Sequence, residues 1–276
     1  MQPNIRFAFE QDIPSLVDIW KSCFPDPEEY IRLFYRENFN RIRILVYTLD
    51  GKPVSMIHLM DASFADGLQN DPVKFIYAVG TIPSLRSKGY MRTLLIYAEE
   101  CAKKDGYGLF LKPSQGMEDY YSTLGFVEDS RFRIFTSGSC PDCGKDVSFA
   151  PISAEEYNHL RDNAFSVRPY VKWPDSHIRW CVNENAFCGG QTISLTFDGN
   201  THFLIGTPDE DVLRITETDL SPEQLRSVSS AVINFFGVSR LEAFLPEDAL
   251  QEGPTVISSL IFNAPQRRTY ANLLLF

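Results

Sequence analysis

The apolar positions of the first half of the chain fall into segments of helical and of strand period. Between Lys88 and Lys104 they recur at spacings of three and four, which predicts an amphipathic helix that ends at Asp105-Gly106. Two β-rich segments before it flank the turn Asp50-Gly51-Lys52, which is typical of a hairpin, and the run VKFIYAV predicts a buried central strand. The predicted order up to about residue 136 is βααβββαβαβ.

The second half of the chain, from about Ser148, repeats this order in degenerate form at an offset of about 135 residues. A hairpin is predicted around Asp198-Gly199-Asn200. A strong helix is predicted from Ser221, which forms a capping box with Gln224, to Gly237. By analogy with the first half, the final segment TVISSLIFNAPQRRTYANLLLF is expected to form a helix and then a last strand. The sequence therefore predicts an α/β protein of two similar units.

Length, charge and cysteine content narrow the classes of function. A chain of 276 residues, 44% of them hydrophobic, can bury two cores of ordinary size. We expect a cytoplasmic protein without membrane contact, because no apolar run approaches the ~20 residues that span a bilayer, the start lacks a signal-peptide pattern, and the six cysteines are sparse enough to be reduced thiols. The net charge of −10, with no long basic stripe, argues against a nucleic-acid partner.

The connection that follows the central strand, GTIPSLRSKGYMRTLL, is the main candidate for chemistry. It places backbone N–H groups of residues 87–90 at a helix N-terminus beside the cation Arg86, and such a combination binds anions. Gly89 permits close approach of a ligand to the backbone. The segment matches neither the P-loop motif nor G-x-G-x-x-G. Taken alone, it leaves open a phosphate site or a plain strand-to-helix connection.

Two sequence motifs, together with the predicted order of helices and strands, resemble those of the GNAT-superfamily N-acyltransferases. Their [R/Q]-x-x-G-x-[G/A] loop is similar to Arg86-Ser-Lys-Gly89-Tyr-Met91, with Met91 in place of the usual small residue, and their Tyr-x-x-x-Gly-Phe is similar to Tyr121-Ser-Thr-Leu-Gly125-Phe126. The resemblance covers residues 5 to about 136. Within it, LKPSQGMEDYYSTLGF is similar to a segment of the enhanced-intracellular-survival type of tandem acetyltransferase. The expected architecture resembles that type without its third domain. The resemblance implies a tandem α/β fold in which each unit is a mixed β-sheet with helices on both faces.

The resemblance also implies roles for individual residues. The backbone of Val79 and Thr81 would pair with the pantetheine arm of acetyl-CoA, the expected co-substrate. The pyrophosphate would lie against the loop residues Arg86, Ser87, Lys88, Gly89, Tyr90 and Met91.

Tyr121 matches the family residue that protonates the leaving thiolate, and the alternative is a packed core tyrosine beside Tyr120. No carboxylate in FIYAV serves as general base. One candidate is the terminal carboxylate of Phe276, because that group reaches the active site in the enhanced-intracellular-survival type. The alternative is that this last segment only completes a sheet.

We therefore expect a catalytic GNAT domain over residues 1–138 and a degenerate second domain over 139–276. The second should not bind coenzyme A, because acidic residues of TETDLSPEQL, among them Glu217 and Asp219, would repel a pyrophosphate. The expected function is direct transfer of an acetyl group from acetyl-CoA to a primary amine of a small molecule or peptide. The alternatives are a non-catalytic acyl-CoA-binding or regulatory module and, third, aminoacyl transfer from charged tRNA, which the net charge disfavours.

The segment Cys140-Pro-Asp-Cys143 resembles one knuckle of a zinc ribbon, but no second C-x-x-C pair follows it. A plain thiol-bearing turn is the alternative that we favour, and we expect no metal. The four histidines show no catalytic spacing and are expected to be structural. The acceptor amine, the general base and the oligomeric state are not encoded in any pattern of this sequence.

Overall fold

The structure is a computed structural model that describes residues 4–67, 69–138 and 145–273. The candidates Cys140, Cys143 and Phe276 lie outside the described residues. Two compact units make up the chain. Unit 1 comprises the described residues within Met1–Ser63, Asp71–Val127 and Leu260–Pro265, and unit 2 those within Phe64–Asn70, Glu128–Ser259 and Gln266–Phe276. The division into domains 1–138 and 139–276 stays a prediction.

The helices and strands up to residue 138 follow the predicted order. They are β1 (Ile5–Phe7), α1 (Ile13–Cys23), α2 (Glu28–Asn38), β2 (Arg43–Leu49), β3 (Lys52–Ala65), β4 (Asn70–Thr81), α3 (Tyr90–Asp105), β5 (Gly108–Leu111), α4 (Glu118–Ser122) and β6 (Val127–Gly138), with short 3-10 turns at Glu10–Asp12 and Pro83–Leu85. As predicted, α3 ends at Gly106, which adopts the left-handed conformation that glycine favours.

The remaining elements belong mostly to unit 2. They are β7 (Ser148–Pro151), α5 (Ala154–Phe165), β8 (Tyr170–Lys172), α6 (Asp175–Phe187), β9 (Gln191–Phe197), β10 (Asn200–Asp209), β11 (Val212–Thr218), α7 (Pro222–Phe236), β12 (Arg240–Pro246) and β13 (Thr255–Phe262), with a 3-10 turn at Glu247–Ala249. The hairpin between β9 and β10 and the helix α7 are where the sequence predicts them.

Each unit is built on a mixed sheet, which confirms the predicted α/β class. In unit 1 the strand order is β1-β2-β3-β4-β5-β13, with β4 and β5 parallel and Leu260–Phe262 of β13 antiparallel to β5. In unit 2 the order is β6-β12-β11-β10-β9-β7, with β11 and β12 parallel and the other neighbours antiparallel. In both units the parallel pair is joined by the longest helix, as a crossover connection requires.

Two local predictions are wrong. Thr255–Phe262 forms a strand rather than a helix, because its β-branched residues suit the extended pairing that residues 260–262 make with β5. Beyond it, residues 263–273 contain no strand, only an isolated bridge from Tyr170 to Tyr270.

Candidate cofactor and active site

The parallel strands of unit 1 are paired along only part of their length. Residues Val73–Phe75 of β4 lie in register with Gly108–Phe110 of β5, whereas β4 continues to Thr81. Within that continuation Ala78 has a φ of 44°, a left-handed conformation that interrupts regular strand geometry. The carboxyl-terminal half of β4 therefore extends past its parallel pairing, at the end of the sheet where ligands of such sheets bind.

A cavity of about 580 Å³ lies at this end of β4, within the range of ligand sites. It is bounded by the last residues of β4, the loop to α3 and the first turn of α3. All the predicted cofactor residues except Lys88 line it, and its other walls include Cys23, Phe24, Met117 and Tyr120. The structure therefore brings together, around one concave space, the residues that the sequence motif links only by spacing.

The N-terminus of α3 presents unused donors to this space. Its N-cap is Gly89, at φ 83°, and no side chain caps the helix. Ser87 also has a positive φ, of 61°, so left-handed residues alternate with others along the loop, a geometry that turns successive N–H groups toward one side. Sixteen residues of helix follow, and the first N–H groups of such a helix are anion donors. The loop therefore has the backbone geometry of an anion site.

Hydrogen bonds hold the end of β4 in place. Ser55 Oγ donates to Gly80 O at 2.9 Å and lies 2.8 Å from Thr81 Oγ1. Thr81 O accepts from Arg86 Nε at 3.2 Å, so the guanidinium is drawn back to the strand from which its loop departs. These contacts fix the backbone of the two residues that separate the loop from Val79.

Tyr121 lies on α4, and its side chain is 7% exposed. It packs edge-on against Tyr120 and Phe126, with ring centroids 5.6 and 5.8 Å away. Burial raises the pKa of its hydroxyl to about 12, so the group is protonated at neutral pH and able to donate. The neighbour Tyr120, not Tyr121, is among the residues that line the cavity. Both tyrosines therefore need to be tested as the proton donor.

Two titratable groups of unit 1, the partly buried Lys112 and the fully buried His58, have lowered pKa values. Burial lowers the pKa of Lys112, directly after β5, to about 7, which suits acid-base chemistry near neutrality. Burial also lowers the pKa of His58 to about 4, and its Nε2 lies 3.0 Å from the Tyr35 hydroxyl. Neither shift is readable from the sequence, because both depend on which elements cover the side chain. His58 is a fully buried core residue, which is consistent with the structural role predicted for it.

In unit 2 a later segment of the chain lies beyond the register of the parallel strands. There β11 and β12 are in parallel register over Val212–Ile215 and Arg240–Ala243. Beyond that register, Asn272 Nδ2 donates to Thr216 O on β11, and the Tyr270 hydroxyl donates to Phe244 O on β12 at 3.4 Å. The segment Thr269–Leu273 that carries both side chains is no more than 3% exposed. This segment therefore covers β11 and β12 beyond their shared register.

Backbone contacts anchor this segment at both ends. The carboxylate of Asp129 accepts hydrogen bonds from the backbone N–H groups of three successive residues, 267 to 269. At the other end, His177 Nε2 lies 3.0 Å from Leu273 O. Because burial lowers the pKa of His177 to about 4, this imidazole is neutral at physiological pH and donates from Nε2. The segment is thus part of the folded core of unit 2.

The N-terminus of α7 also differs from that of α3. Ser221 Oγ accepts from Gln224 N at 3.2 Å, and Gln224 Oε1 accepts from Ser221 N at 2.9 Å, the reciprocal capping box that the sequence predicts. Of the acidic residues before it, Glu217 is fully buried against Arg161 at 2.8 Å, and Asp219 accepts from Phe203 N. These carboxylates are engaged in internal contacts.

Solved structures with this fold include several acyltransferases. A conserved protein of unknown function from Enterococcus faecalis V583, described as a probable N-acyltransferase, is similar at a TM-score of 0.74 and 10% identity, over 95% of this chain and 72% of that one. Eis1 from Mycobacterium abscessus is similar at 0.67 and 12%, over 93% and 72%. A tandem GNAT protein from the clavulanic acid biosynthesis pathway is similar at 0.57 and 12%, over 95% and 99%. At these identities the likeness establishes the fold.

The fold is thus that of the GNAT acyltransferases. Residues 4–127, less than half of the chain, match the family model of the acetyltransferase (GNAT) domain. No curated protein matches the chain. Among residues 4–67, 69–138 and 145–273, no helix has the length and apolar character needed to cross a membrane, and no three potential ligands of His, Cys, Asp or Glu type come together as a metal site.

Proposed function

We propose that residues 1–138 form a catalytic domain that transfers the acetyl group of acetyl-CoA directly to a primary amine of a small molecule or peptide. The observation that carries the proposal is the cavity of about 580 Å³, which is lined by an uncapped helix N-terminus, the cation Arg86 and the end of β4. The family match supports acyl transfer in general. Acetyl-CoA supplies the activated acetyl group as a thioester.

The residues present fit this co-substrate in distinct ways. Backbone groups of Val79 and Thr81 would hold the pantetheine arm, and residues 86 to 91 would hold the pyrophosphate through N–H groups and the Arg86 guanidinium. Tyr121 would deliver a proton to the leaving sulfur, because its raised pKa keeps the hydroxyl protonated. Phe276, outside the described residues, stays a prediction as the base that receives the amine proton.

We further propose that residues 139–276 form a degenerate GNAT-like domain without coenzyme A. Support comes from the segment Thr269–Leu273, which bonds to β11 and β12 beyond their shared register, and from the capping box at the N-terminus of α7, which has no counterpart at α3. We place the enzyme in the cytoplasm. Cys23, Cys101 and Cys181 are thiols outside any disulfide, as expected in a reducing compartment.

Thiol release from acetyl-CoA over a panel of polyamines, aminoglycosides, amino acids and lysine peptides tests the proposal. We expect at least one amine to accelerate release. Arg86→Ala should raise the Kd for acetyl-CoA at least tenfold, because a charge-assisted contact with phosphate is lost. The matched control is Arg41→Ala, which removes an exposed arginine of unit 1 that does not line the cavity.

Tyr121→Phe should lower kcat at least tenfold and leave the Kd for acetyl-CoA unchanged, because only the transferable proton is removed. Tyr120→Phe is the paired variant, since Tyr120 is the tyrosine that lines the cavity. If Tyr120→Phe lowers kcat and Tyr121→Phe does not, the proton donor is Tyr120. Equal loss of binding in both variants would contradict a role in proton transfer.

The alternative function is a non-catalytic acyl-CoA-binding or regulatory module, which the absence of a carboxylate from residues 75–79 of β4 favours. In that case acetyl-CoA raises the melting temperature, and no amine accelerates thiol release. The tandem arrangement of two GNAT-like units suggests a third candidate function, aminoacyl transfer from charged tRNA. The net charge of −10 disfavours it, because tRNA binding depends on neutralising phosphates.

A further inference from the structure

The thiol of Cys23, the last residue of α1, lies in the wall of the cofactor cavity. It donates to Thr81 O at 3.3 Å, and Arg86 Nη2 lies 3.6 Å from the same sulfur. Arg86 Nε donates to that same carbonyl at 3.2 Å. A strand carbonyl, a thiol and a guanidinium therefore form a closed triangle, in which Arg86 is held at two of its nitrogen atoms.

This triangle prepares Arg86 for a ligand. A long, exposed arginine loses rotamer freedom when it binds an anion, and contacts made beforehand reduce that loss. A guanidinium has five N–H donors, and the triangle uses two of them, so others stay available for phosphate oxygens. Thr81 O provides one fixed point, and Cys23 provides the other from a different element.

Gly80 leaves the room for this sulfur. A Cβ built on Gly80 would lie 3.1 Å from Cys23 Sγ and 3.3 Å from Ile19 Cγ2, closer than almost all real Cβ contacts. The φ of Gly80 is not in the left-handed region, so its backbone conformation would accept alanine. Glycine at this position therefore leaves room for the thiol, the nearest atom, and for the side chain of Ile19.

We propose that Cys23 is a positioning residue for acetyl-CoA, which holds the Arg86 guanidinium toward the pyrophosphate subsite, and that Gly80 makes this possible by admitting its sulfur. The inference rests on the proposed function, because it takes Arg86 as a ligand of the cofactor. It adds a residue from outside the loop motif, at the end of α1, to the cofactor site.

Calorimetric titration of the full chain with acetyl-CoA tests the role of the thiol. Cys23→Ala should raise the Kd about fivefold, the effect of losing one hydrogen bond of ordinary strength. Cys23→Ser should restore most of the affinity, because a hydroxyl can donate to Thr81 O and accept from Arg86. Cys101→Ala is the matched control, a partly buried cysteine that does not line the cavity. In turnover assays the loss should appear in the KM for acetyl-CoA and not in kcat.

Gly80→Ala provides an independent arm. Alone it should raise the Kd as Cys23→Ala does, and in the Cys23→Ala background it should add little, because the sulfur that it displaces is already gone. Additive effects, or equal Kd values for wild type, Cys23→Ala and Cys23→Ser at unchanged melting temperatures, would overturn the inference and leave the proposed function standing. A wild-type chain that binds no acetyl-CoA would instead refute the proposed function, and this inference with it.

Discussion

Burial sets the protonation state of two histidines, one in each unit. His58 and His177 are 0% and 5% exposed, and desolvation lowers the pKa of each to about 4, below the usual 6.5. In the unfolded chain both histidines bind protons as the pH falls through 6.5, whereas in the folded chain they remain neutral down to about pH 4. Between these values the unfolded state holds more protons, so the free energy of unfolding decreases as the pH falls.

We therefore predict that each buried histidine lowers the free energy of unfolding by about 2 kcal/mol between pH 7 and pH 5. Urea denaturation at the two pH values, followed by tryptophan fluorescence, measures this loss, because Trp20 packs edge-on against His58 with ring centroids 5.4 Å apart. His58→Gln should remove its share of the pH dependence. The exposed His159 provides the control substitution, His159→Gln. A free energy of unfolding that does not change between these pH values would refute the prediction.

Individual residues also show which parts of the candidate site could be predicted from the sequence and which could not. The cofactor residues predicted from Val79 to Met91 could be proposed from the sequence, because all of them lie on one continuous strand-loop-helix connection. Cys23 is missed, since only the packing of α1 against the end of β4 brings its sulfur to Thr81 O. The lowered pKa of Lys112 is missed for the same reason: residue type is visible in the sequence, and burial is not.

At the scale of elements, the two crossover helices have opposite N-terminal chemistry. In α3 the N-cap is Gly89 and no side chain caps the helix, whereas in α7 Ser221 and Gln224 satisfy each other's backbone N–H groups. A cap that consumes donors stabilises its helix and competes with an anion for the same N–H groups. The helix α7 therefore uses backbone N–H groups for its own cap, whereas α3 has no side-chain cap.

Removal of this cap should affect stability and not cofactor binding. We predict that Ser221→Ala lowers the free energy of unfolding by about 1 kcal/mol, because the hydrogen bond from Gln224 N to Ser221 Oγ is lost, and leaves the Kd for acetyl-CoA unchanged. Thermal denaturation and calorimetric titration measure the two effects. Ser227→Ala, the same change within the same helix, should alter stability by only a few tenths of a kcal/mol. A weakened Kd in Ser221→Ala would mean that α7 contributes to the site.

The helices and hairpins were predictable because their signals are local. The apolar period fixes α3, Asp50-Gly51-Lys52 turns β2 into β3, and the capping box begins α7. The strand with which β13 pairs was not predictable from the sequence. Its residues Leu260–Phe262 pair with β5, about 150 positions earlier in the chain, and no local pattern names a partner at that distance.

At the scale of the whole molecule, the two units share an order of elements but differ beyond the register of their parallel strands. Both units have a parallel strand pair whose register stops before the strands end. In unit 1 the strand end and the uncapped helix meet at a cavity of about 580 Å³. In unit 2 the side chains of Tyr270 and Asn272 donate hydrogen bonds to β12 and β11 beyond their shared register. The carboxylate of Asp129 accepts from the backbone N–H groups of residues 267–269, which anchors this segment.

This difference predicts that each chain binds one molecule of acetyl-CoA. A second molecule would have to displace Tyr270 and Asn272 from carbonyl groups on β12 and β11, in a segment no more than 3% exposed. Calorimetric titration of the full chain should give a stoichiometry of one, and the same titration of Arg86→Ala should show a single weakened site. If both units bound the cofactor, the wild-type stoichiometry would be two, and Arg86→Ala would retain one site at full affinity. That outcome would contradict the assignment of the cofactor to unit 1 alone.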